Sequence, residues 1–403
     1  MNKTIPQGWK NVKLGNICKI LRGKGLSKDK LSDTGKNKCI LYGELFTTYS
    51  ESIKEVKSRT DESGGTLSMK GDILIPSSTT TTGVDLVNAV VLNEDGVLLG
   101  GDVNILRKKC DSYNSEFLAY YLTHIKKDDI IRLTQGITIV HLYGKDLKEI
   151  ELLLPPKDLQ NKIVEIIETT DEAIRATNKI INESERIKNG LIKDLLTNGL
   201  PFNNRKKQET EIGQIPEDWR LVKQGDVAKF YNGRAYKLSE WEKSGIPVIR
   251  QQNLTEKGSS FYYSNLSLPK HQYCKSGDLL YMWSASFGPH IWDGPEAIYH
   301  YHIWKIECSE MIEKMYLFYL LNRITLELQR KMQGGTMSHI TKAIMEKHLI
   351  GLPPISEQRK IIEVLNTIDS KIKTETEKFY HLLKIKKGIL QKLLTGQIPV
   401  RVD

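Results

Sequence analysis

Apolar residues recur at helical spacing in two long stretches, one just before the middle of the chain and one at its end. Over residues 158–197 isoleucine and leucine return every three or four positions, and residues 355–397 repeat the pattern. Stripes of about five heptads are typical of coiled coils. We therefore expect two long helices that pair with each other, and the chain length between them favours antiparallel packing. The residues expected at this helix pairing are Ile163, Ile167, Ile174, Ile181, Leu195, Ile361, Leu365, Ile368, Ile372 and Leu383.

The segments before each stripe mix short strands, turns and a shorter helix. Ala89–Leu92 and Val97–Leu99 flank an Asn-Glu-Asp-Gly turn, a pattern that predicts a β-hairpin. Helical spacing predicts further helices over 115–132 and 311–330. The fold class expected is therefore α+β, with two modules separated by the long helices.

Short motifs of the first half return in the second half in the same order. Ile5-Pro6-Gln7-Gly8-Trp9 returns at Ile215–Trp219, and Leu154-Pro155-Pro156 returns at Leu352–Pro354. This period is far longer than the ~20–50 residues of a solenoid repeat, so it indicates a duplicated half-protein with a pseudo-two-fold axis. The expected divisions are a first module at 1–157, a central helix at 158–199, a linker at 200–211, a second module at 212–354 and a second helix at 355–397.

Charge and cysteine content narrow the class of protein. The chain of 403 residues has a formal net charge of +10, which favours a polyanionic partner. Its five cysteines are scattered and include no C-x-x-C pair, which suits a reducing compartment and argues against a zinc ribbon. The sequence shows neither a signal peptide nor a run near the ~20 apolar residues of a membrane helix. We expect a cytoplasmic protein with no membrane partner.

Motifs that carry chemistry are few. Gly23-Lys24-Gly25 is a lone G-x-G, and no G-x-x-x-x-G-K-[ST] phosphate loop occurs. Both Pro-Pro pairs follow leucine, whereas methyl transfer to a base amine needs an acidic or amide residue there. His300-Tyr301-His302 would place two imidazoles on one strand face, without a third metal ligand at a telling distance. We expect no catalytic residue, bound cofactor or metal in this chain, and an enzyme with a dispersed active site is kept as an alternative.

Taken together, the motifs resemble the DNA-specificity subunit of type I restriction-modification systems. The resemblance rests on Ile-Pro-x-x-Trp at the start of each half, Gly-Asp-[Ile/Leu]-Leu midway, and Leu-Pro-Pro before an isoleucine-rich helix that ends in Leu-Leu-Thr. The second copy also contains Ser356-Glu357-Gln358-Arg359. The first copy departs from it at 157–161, which lacks Glu-Gln-Arg, so the contacts at the start of the first helix stay open.

This resemblance implies two target-recognition domains, each reading half of a bipartite, asymmetric site in double-stranded DNA. The paired helices would set the distance between the half-sites. Two adenine-methyltransferase subunits would dock on the helices and use S-adenosylmethionine, and motor-nuclease subunits would use ATP and magnesium. The alternatives are a specificity subunit for a fused methyltransferase-nuclease, a methylation-only system, and a structural adaptor without salt-dependent DNA affinity.

Candidate DNA contacts follow from donor and acceptor chemistry. Arg250-Gln251-Gln252-Asn253 follows the 246–249 strand, and arginine suits guanine while glutamine or asparagine suits adenine. The corresponding first-half stretch is expected at Tyr42–Leu45. The Ser-Thr run 77–82 corresponds to a different sequence in the second half, so the half-sites should differ. The full set of candidates is Arg22, Lys24, Tyr42, Ser77, Ser78, Thr79, Thr80, Gln135, Thr138, His141, Arg234, Arg250, Gln251, Gln252, Asn253, Trp283, Ser284, Gln333, Thr336 and His339, of which Arg22, Lys24 and Arg234 are expected at phosphates.

Two glycines interrupt the long helices at equivalent positions. Gly190 and Gly388 each cost about 1 kcal/mol relative to alanine. We expect a close approach of the helices or a contact surface for another protein, and a chance pair of glycines is the alternative.

Overall fold

The chain forms two compact units. The computed structural model describes residues 6–201, 205–255, 259–284, 286–332 and 340–401. Unit one comprises Met1–Asn178 and Glu377–Asp403, and unit two comprises Lys179–Thr376. Each unit therefore contains one mixed module together with part of each long helix.

Unit one contains two main sheets. Its strands are β1 (Lys10–Lys13), β2 (Cys18–Arg22), β3 (Asn37–Ile40), β4 (Ser52–Ile53), β5 (Arg59–Thr60), β6 (Thr66–Leu67), β7 (Asp72–Pro76), β8 (Ser78–Thr79), β9 (Val90–Leu92), β10 (Leu98–Leu99), β11 (Val103–Lys108), β12 (Val140–His141) and β13 (Glu151–Leu154). One sheet has the order β2-β11-β7-β9-β4 and the other β5-β3-β10-β6, while β1 pairs with β13 and β8 with β12.

Unit two repeats this plan. Its strands are β14 (Lys207–Thr210), β15 (Gly213–Pro216), β16 (Arg220–Lys223), β17 (Ala228–Asn232), β18 (Ile246–Ile249), β19 (Tyr262–Ser264), β20 (Tyr273–Cys274), β21 (Leu279–Ser284), β22 (Ser286–Ile291), β23 (Ala297–Tyr299), β24 (Ile303–Cys308) and β25 (Leu349–Leu352). The sheet orders are β17-β24-β21-β22 and β19-β18-β23-β20. In each unit the second of these sheets contains a parallel pair, β3 with β10 in unit one and β18 with β23 in unit two. The next strand along the chain, β11 or β24, belongs to the other sheet. One turn therefore connects the two sheets.

The predicted hairpin of the first module is wrong. Strand β9 pairs with β7 and β4, whereas β10 pairs with β3 and β6 in the other sheet. The turn between them is held by Ser68, whose carbonyl accepts from the Gly96 amide at 3.0 Å and whose hydroxyl accepts from the Val97 amide at 3.0 Å. These bonds to a distant segment direct the chain away from β9.

The helices confirm the two long elements and divide one of the shorter ones. They are α1 (Leu14–Ile17), α2 (Glu44–Thr47), α3 (Ser115–His124), α4 (Lys127–Arg132), α5 (Gly144–Leu147), α6 (Lys157–Asn198), α7 (Gln224–Val227), α8 (Gln251–Thr255), α9 (Lys314–Met332), α10 (Lys342–Lys347) and α11 (Ile355–Leu393). The helix predicted over 115–132 is thus two helices with a break at 125–126, and that over 311–330 begins at Lys314. No helix in the described part of the chain is long and apolar enough to cross a membrane.

Both long helices begin and end at residues that the sequence specifies. Each starts directly after a Pro-Pro pair, because proline biases the residue before it away from helical geometry. At the other end Gly199 and Gly396 follow the helices with φ of +72° and +68°. Glycine adopts this left-handed conformation without the steric cost of a Cβ atom, which ends a helix.

The two long helices pack antiparallel within each unit. In unit one Lys386 of α11 lies 2.7 Å from Asp171 of α6, which also accepts from the Tyr120 hydroxyl at 3.1 Å. In unit two Lys188 of α6 lies 2.6 Å from Asp369 of α11, and the Tyr319 hydroxyl donates to Asp369 at 2.6 Å. The same Tyr-Asp-Lys contact therefore ties the module to the helix pair in each unit, with the roles of the two helices exchanged.

The residues expected at the helix pairing differ in burial. The end residues enter the module cores: Ile163 and Ile167 pack with Leu390 and Leu393 in unit one. In unit two Leu195 packs with Ile361 and Leu365. The remaining positions are less enclosed, since Ile174, Ile181, Ile368 and Ile372 are half-buried and Leu383 is 39% exposed. The helix ends therefore serve as core elements of the modules.

A buried glutamine joins each helix start to its module. The Gln160 side-chain oxygen accepts from the Asn114 amide at 2.8 Å, and its nitrogen donates to the Pro155 carbonyl at 2.8 Å. Gln358 makes the equivalent bonds with Glu313 and Pro353 at 2.8 and 2.9 Å. The glutamine contact is thus kept in the first copy, although that copy lacks the flanking Glu and Arg.

Candidate nucleic-acid interface

One turn in the first module connects its two sheets and lies among several candidate residues. We call Gly100–Asp102, between β10 and β11, the first tip turn. The Gly100 amide donates to the Ile40 carbonyl at 2.9 Å and the Ser77 amide to the Asp102 carbonyl at 2.8 Å. On its other side the Lys24 amide donates to Leu99 at 3.0 Å. These backbone bonds form a frame around the turn, in which Gly100 is buried and Gly101 and Asp102 are half-buried.

The second module builds the same frame around His300–His302, which we call the second tip turn. The His300 amide donates to the Ile249 carbonyl at 2.9 Å. The Trp283 amide donates to the His302 carbonyl and the Arg234 amide to the Tyr299 carbonyl, both at 3.2 Å. Each bond has its counterpart in the first module. The backbone is thus repeated while the side chains change.

Close packing beside each tip turn requires glycine. A Cβ on Gly23 would overlap the carbonyl oxygen of Gly100, and a Cβ on Gly233 would overlap that of His300. The first glycine of the lone G-x-G therefore serves this backbone approach.

The matched segment Gln135–His141 forms a projecting loop in the first module. Gln135 and His141 exchange backbone hydrogen bonds of 2.9 and 2.7 Å, which close the loop at its base. Gln135 and Thr138 are exposed, and Ile137 between them is 99% exposed. The His141 ring stacks on Tyr143 with centroids 5.9 Å apart. The second-half equivalents Gln333, Thr336 and His339 lie outside the described residues.

The cationic candidates of the first module lie near its tip turn. Arg22 donates to the Gly101 carbonyl at 3.1 Å and pairs with Asp102 at 2.8 Å. Lys24 is exposed two residues further on. Arg22, Ser77 and His141 line a cavity of about 200 Å³. The structure thus brings together Arg22, Ser77 and His141, which are far apart in the sequence.

The Ser-Thr run divides into a buried and an exposed part. Ser77 is buried, and so are Ser78 and Thr79, which form β8 and pair with β12. Thr80 is exposed at the next position. Because these three residues are buried, a ligand would contact this run at its exposed end, Thr80–Thr82.

The second module's polar candidates are largely engaged within the protein. Both terminal nitrogens of Arg234 bond Glu240, at 2.8 and 2.6 Å. The Arg250 guanidinium lies 3.9 Å from the centre of the Tyr262 ring, a cation–π contact. The Gln251 side-chain nitrogen donates to the Ser284 carbonyl, while Gln252 is exposed.

Asn253 shows how the two halves align. Its side-chain oxygen accepts from the Arg250 amide at 2.9 Å, as the Glu44 carboxylate accepts from the Leu41 amide at 2.8 Å. The counterpart of Arg250–Asn253 is therefore Leu41–Glu44, one residue earlier than the predicted Tyr42–Leu45. Asn253 therefore holds the turn. Tyr42, which this alignment makes equivalent to Gln251, is half-buried against the sheet core.

Sequence reasoning missed an aromatic cluster around the second tip turn. The Tyr301 ring lies 4.5 Å from His300, 3.8 Å from His302 and 6.3 Å from Trp283, measured between centroids. A chain of rings continues through Tyr236, Trp241 and Tyr262. The signal available in the sequence was the density of aromatic residues over 231–304, which carries no periodicity.

The two imidazoles of the second tip turn are in a turn and not on the predicted strand face. Burial, followed by the neighbouring His302 and Arg250, lowers the pKa of His300 to about 4. Burial also lowers the pKa of His302. Within the described ranges no group of three or more His, Cys, Asp or Glu residues could hold a metal ion.

Together the fold and the site define a class: a duplicated recognition protein whose two equivalent frames carry different side chains, joined to paired helices. The model of the type I restriction modification DNA specificity domain matches residues 6–186 and again 216–384. The chain belongs to this family. Type I specificity subunits are non-catalytic DNA-recognition subunits, and that is the role of this chain.

Individual relatives match between half and nearly all of the chain. The MjaVIII type I restriction enzyme specificity subunit of Methanocaldococcus jannaschii is 28% identical, over 98% of this chain and 94% of that protein. The Escherichia coli EcoBI specificity subunit is 26% identical over 50% of this chain and 44% of its own length. A type I restriction-modification system S subunit from M. genitalium matches the fold with a TM-score of 0.59 at 14% identity, over 100% of this chain and 98% of that one. A chain from a study of type I R-M complex assembly gives a TM-score of 0.64 at 18% identity, over 98% and 100%.

Proposed function

We propose that this chain recognises a bipartite, asymmetric site in double-stranded DNA and directs adenine methylation and cleavage by partner subunits. The observation that carries the proposal is the repeated backbone frame with Gly-Gly-Asp at one tip turn and His-Tyr-His at the other. Equal frames support two equivalent docking modes, and different side chains support two different half-sites. The target-recognition domains would be 1–157 and 212–354, with helical spacers at 158–199 and 355–397 and a linker at 200–211.

The catalytic chemistry would belong to partners in the cytoplasm. Two adenine-methyltransferase subunits would use S-adenosylmethionine and would have to flip the target adenine out of the duplex. Motor-nuclease subunits would use ATP and magnesium. This chain would bind none of these cofactors itself.

Methylation mapping tests the proposal. The chain is expressed with the methyltransferase encoded beside it in a host without other adenine methylases, and N6-methyladenine is located by single-molecule sequencing. We expect a split motif with a fixed unspecified spacer, because each frame would contact one half-site and the paired helices would set the distance between them. The methyltransferase expressed alone is the control and should leave no such motif.

Two outcomes would count against DNA targeting. A stable complex that methylates no defined motif would favour the structural adaptor. So would DNA binding that does not weaken with salt, because phosphate contacts release counterions and make affinity fall steeply as salt rises.

Equivalent patches on the two long helices are the proposed docking sites for the methyltransferase copies. Ile187 and Ile385 are 198 residues apart and are 56% and 51% exposed. Each is followed three residues later by a helical glycine. Among the described atoms, none lies within 4 Å of a Cβ built on Gly190 or Gly388. Close helix approach is therefore the wrong explanation for these glycines, and the other expectation, a contact surface for a partner, is the one we propose.

Replacing Gly190 and Gly388 with glutamine is expected to abolish methylation while stabilising the isolated chain. The side chain would occupy the patch, whereas the helix would gain up to about 1 kcal/mol from losing glycine. Complex mass by native mass spectrometry and methylation in cells are the measurements. Gly190→Gln alone should remove one methyltransferase copy. The alanine pair is the matched control, with helix stabilised and docking kept; full methylation by the glutamine pair would contradict the docking site.

A further inference from the structure

The second tip turn presents an aromatic surface that the first tip turn lacks. Tyr301 is 39% exposed at its apex. The Trp283 indole N–H donates to the Tyr301 carbonyl at 2.8 Å, and the His302 ring meets the Trp283 ring at 72° with centroids 5.4 Å apart. These contacts fix the apex, so the Tyr301 ring would be presented to a ligand without a large loss of conformational entropy.

The rings of this surface carry no charge at neutral pH. The pKa values of His300 and His302 are lowered, first by burial, so both imidazoles are neutral at pH 7. The Arg234 guanidinium beside them is paired with Glu240. The Arg250 guanidinium, the other cation near His300, lies 3.9 Å from the centre of the Tyr262 ring. An uncharged aromatic apex is poorly suited to phosphate, which attracts cations. It suits an apolar group on a base.

The major groove offers one apolar group among its base edges, the C5 methyl of thymine. We propose that the second tip turn enters the major groove and that the Tyr301 ring packs on the methyl group of a thymine in the half-site of the second module. This inference rests on the proposed function. It assigns to Tyr301 a specificity role that requires the ring and not the hydroxyl.

The first module cannot make this contact from the same place. Gly100 and Gly101 have no side chain to offer, and Asp102 accepts a hydrogen bond from Arg22 at 2.8 Å. The thymine requirement should therefore appear in one half-motif and be absent at the corresponding place in the other. This asymmetry separates the contact from a general effect of the fold.

The experiment compares the methylated motifs of Tyr301→Ala, Tyr301→Phe and the wild-type complex. We expect Tyr301→Ala to make one thymine position of one half-motif degenerate, while the other half-motif and the spacer stay unchanged. Tyr301→Phe should keep the wild-type motif because the ring remains. Tyr380→Ala is the matched control, since Tyr380 is an exposed tyrosine on α11, 65% exposed.

A binding measurement with the whole complex then tests the methyl group itself. Duplexes carrying deoxyuridine at that thymine should bind the wild type about fourfold more weakly, the value of about one buried methyl group. Tyr301→Ala should bind thymine and deoxyuridine duplexes equally. The same comparison on the wild type alone stands even if the alanine variant folds poorly.

Distinct outcomes separate this inference from the function on which it rests. A wild-type complex that places no split motif overturns the proposed function. A split motif that Tyr301→Ala leaves intact, or a wild type indifferent to deoxyuridine at every thymine of the site, overturns the Tyr301 contact alone. Replacing the second tip turn by the first (H300G/Y301G/H302D) should likewise alter one half-motif only, because the backbone frames match.

Discussion

Replacing Glu357 with alanine is expected to lower the free energy of unfolding of unit two by about 3–5 kcal/mol, the usual cost of breaking a buried ion pair from one side. The Glu357 carboxylate is buried and accepts from both terminal nitrogens of Arg205, at 2.5 and 2.6 Å. It also accepts from the Trp219 indole at 3.0 Å and the Leu200 amide at 2.9 Å. Removing it takes an acceptor from four donors at once.

Urea unfolding followed by tryptophan fluorescence measures this loss. Five of the six tryptophans lie between Trp219 and Trp304, so the signal reports on unit two. Glu363→Ala is the matched control because Glu363 is exposed on the same helix, and its effect should stay within about 0.5 kcal/mol. Equal effects of the two substitutions would contradict the assignment.

The pH dependence of the same variant gives an independent check. Burial acts to raise the pKa of Glu357, but the bonds from Arg205, Leu200 and Trp219 outweigh it and place the pKa below 4.5. A folded-state pKa below the unfolded value contributes stability above pH 4.5 that is lost as the pH falls through the folded pKa. The wild type should therefore lose more stability than Glu357→Ala on acidification below pH 4.5.

Replacing Gln160 with leucine is expected to destabilise unit one, and replacing Gln358 with leucine to destabilise unit two, each by about 2–5 kcal/mol. The reason is that each change leaves two buried backbone groups without a hydrogen-bond partner. Gln160→Leu deprives the Asn114 amide and the Pro155 carbonyl of partners in unit one. Gln358→Leu does the same to Glu313 in unit two. Hydrogen exchange resolved by peptide should show faster exchange in the affected unit.

Lys360→Leu is the control for these variants, since Lys360 is exposed two residues after Gln358. Leucine there adds the same side chain without removing a buried bond. The paired design also tests the duplication. If Gln160→Leu left unit one as stable as the wild type, the two glutamines would not be equivalent, and the first helix would need another anchor.

Much of the architecture could be predicted from local pattern. The long helices follow from isoleucine periodicity, their starts from the Pro-Pro pairs, and their ends from Gly199 and Gly396. The duplication follows from motif order. These features depend on residues within a few turns of one another, or on repetition that is visible without knowing any contact, and so they can be read from one chain.

The hairpin failed for the opposite reason. The turn before Val97 has ordinary hairpin composition, yet its amides bond Ser68, nearly thirty residues away. The local preference for a hairpin is outweighed by these two bonds together with the parallel pairing of Leu98 and Leu99 with Cys39 and Ile40. Long-range pairing of this kind has no signature in the turn residues themselves.

The sequence by itself determined the fold class, the repeated halves, the paired helices and the family, because each is carried by periodicity or by the order of motifs. Only the tertiary structure decided which candidates lie at the surface. It buried Ser78 and Thr79, engaged Arg234 with Glu240, and placed Tyr301 at the apex of a turn. The reason is physical: exposure and neighbours depend on strands that pair across fifty residues or more, as Val248 does with Ile298.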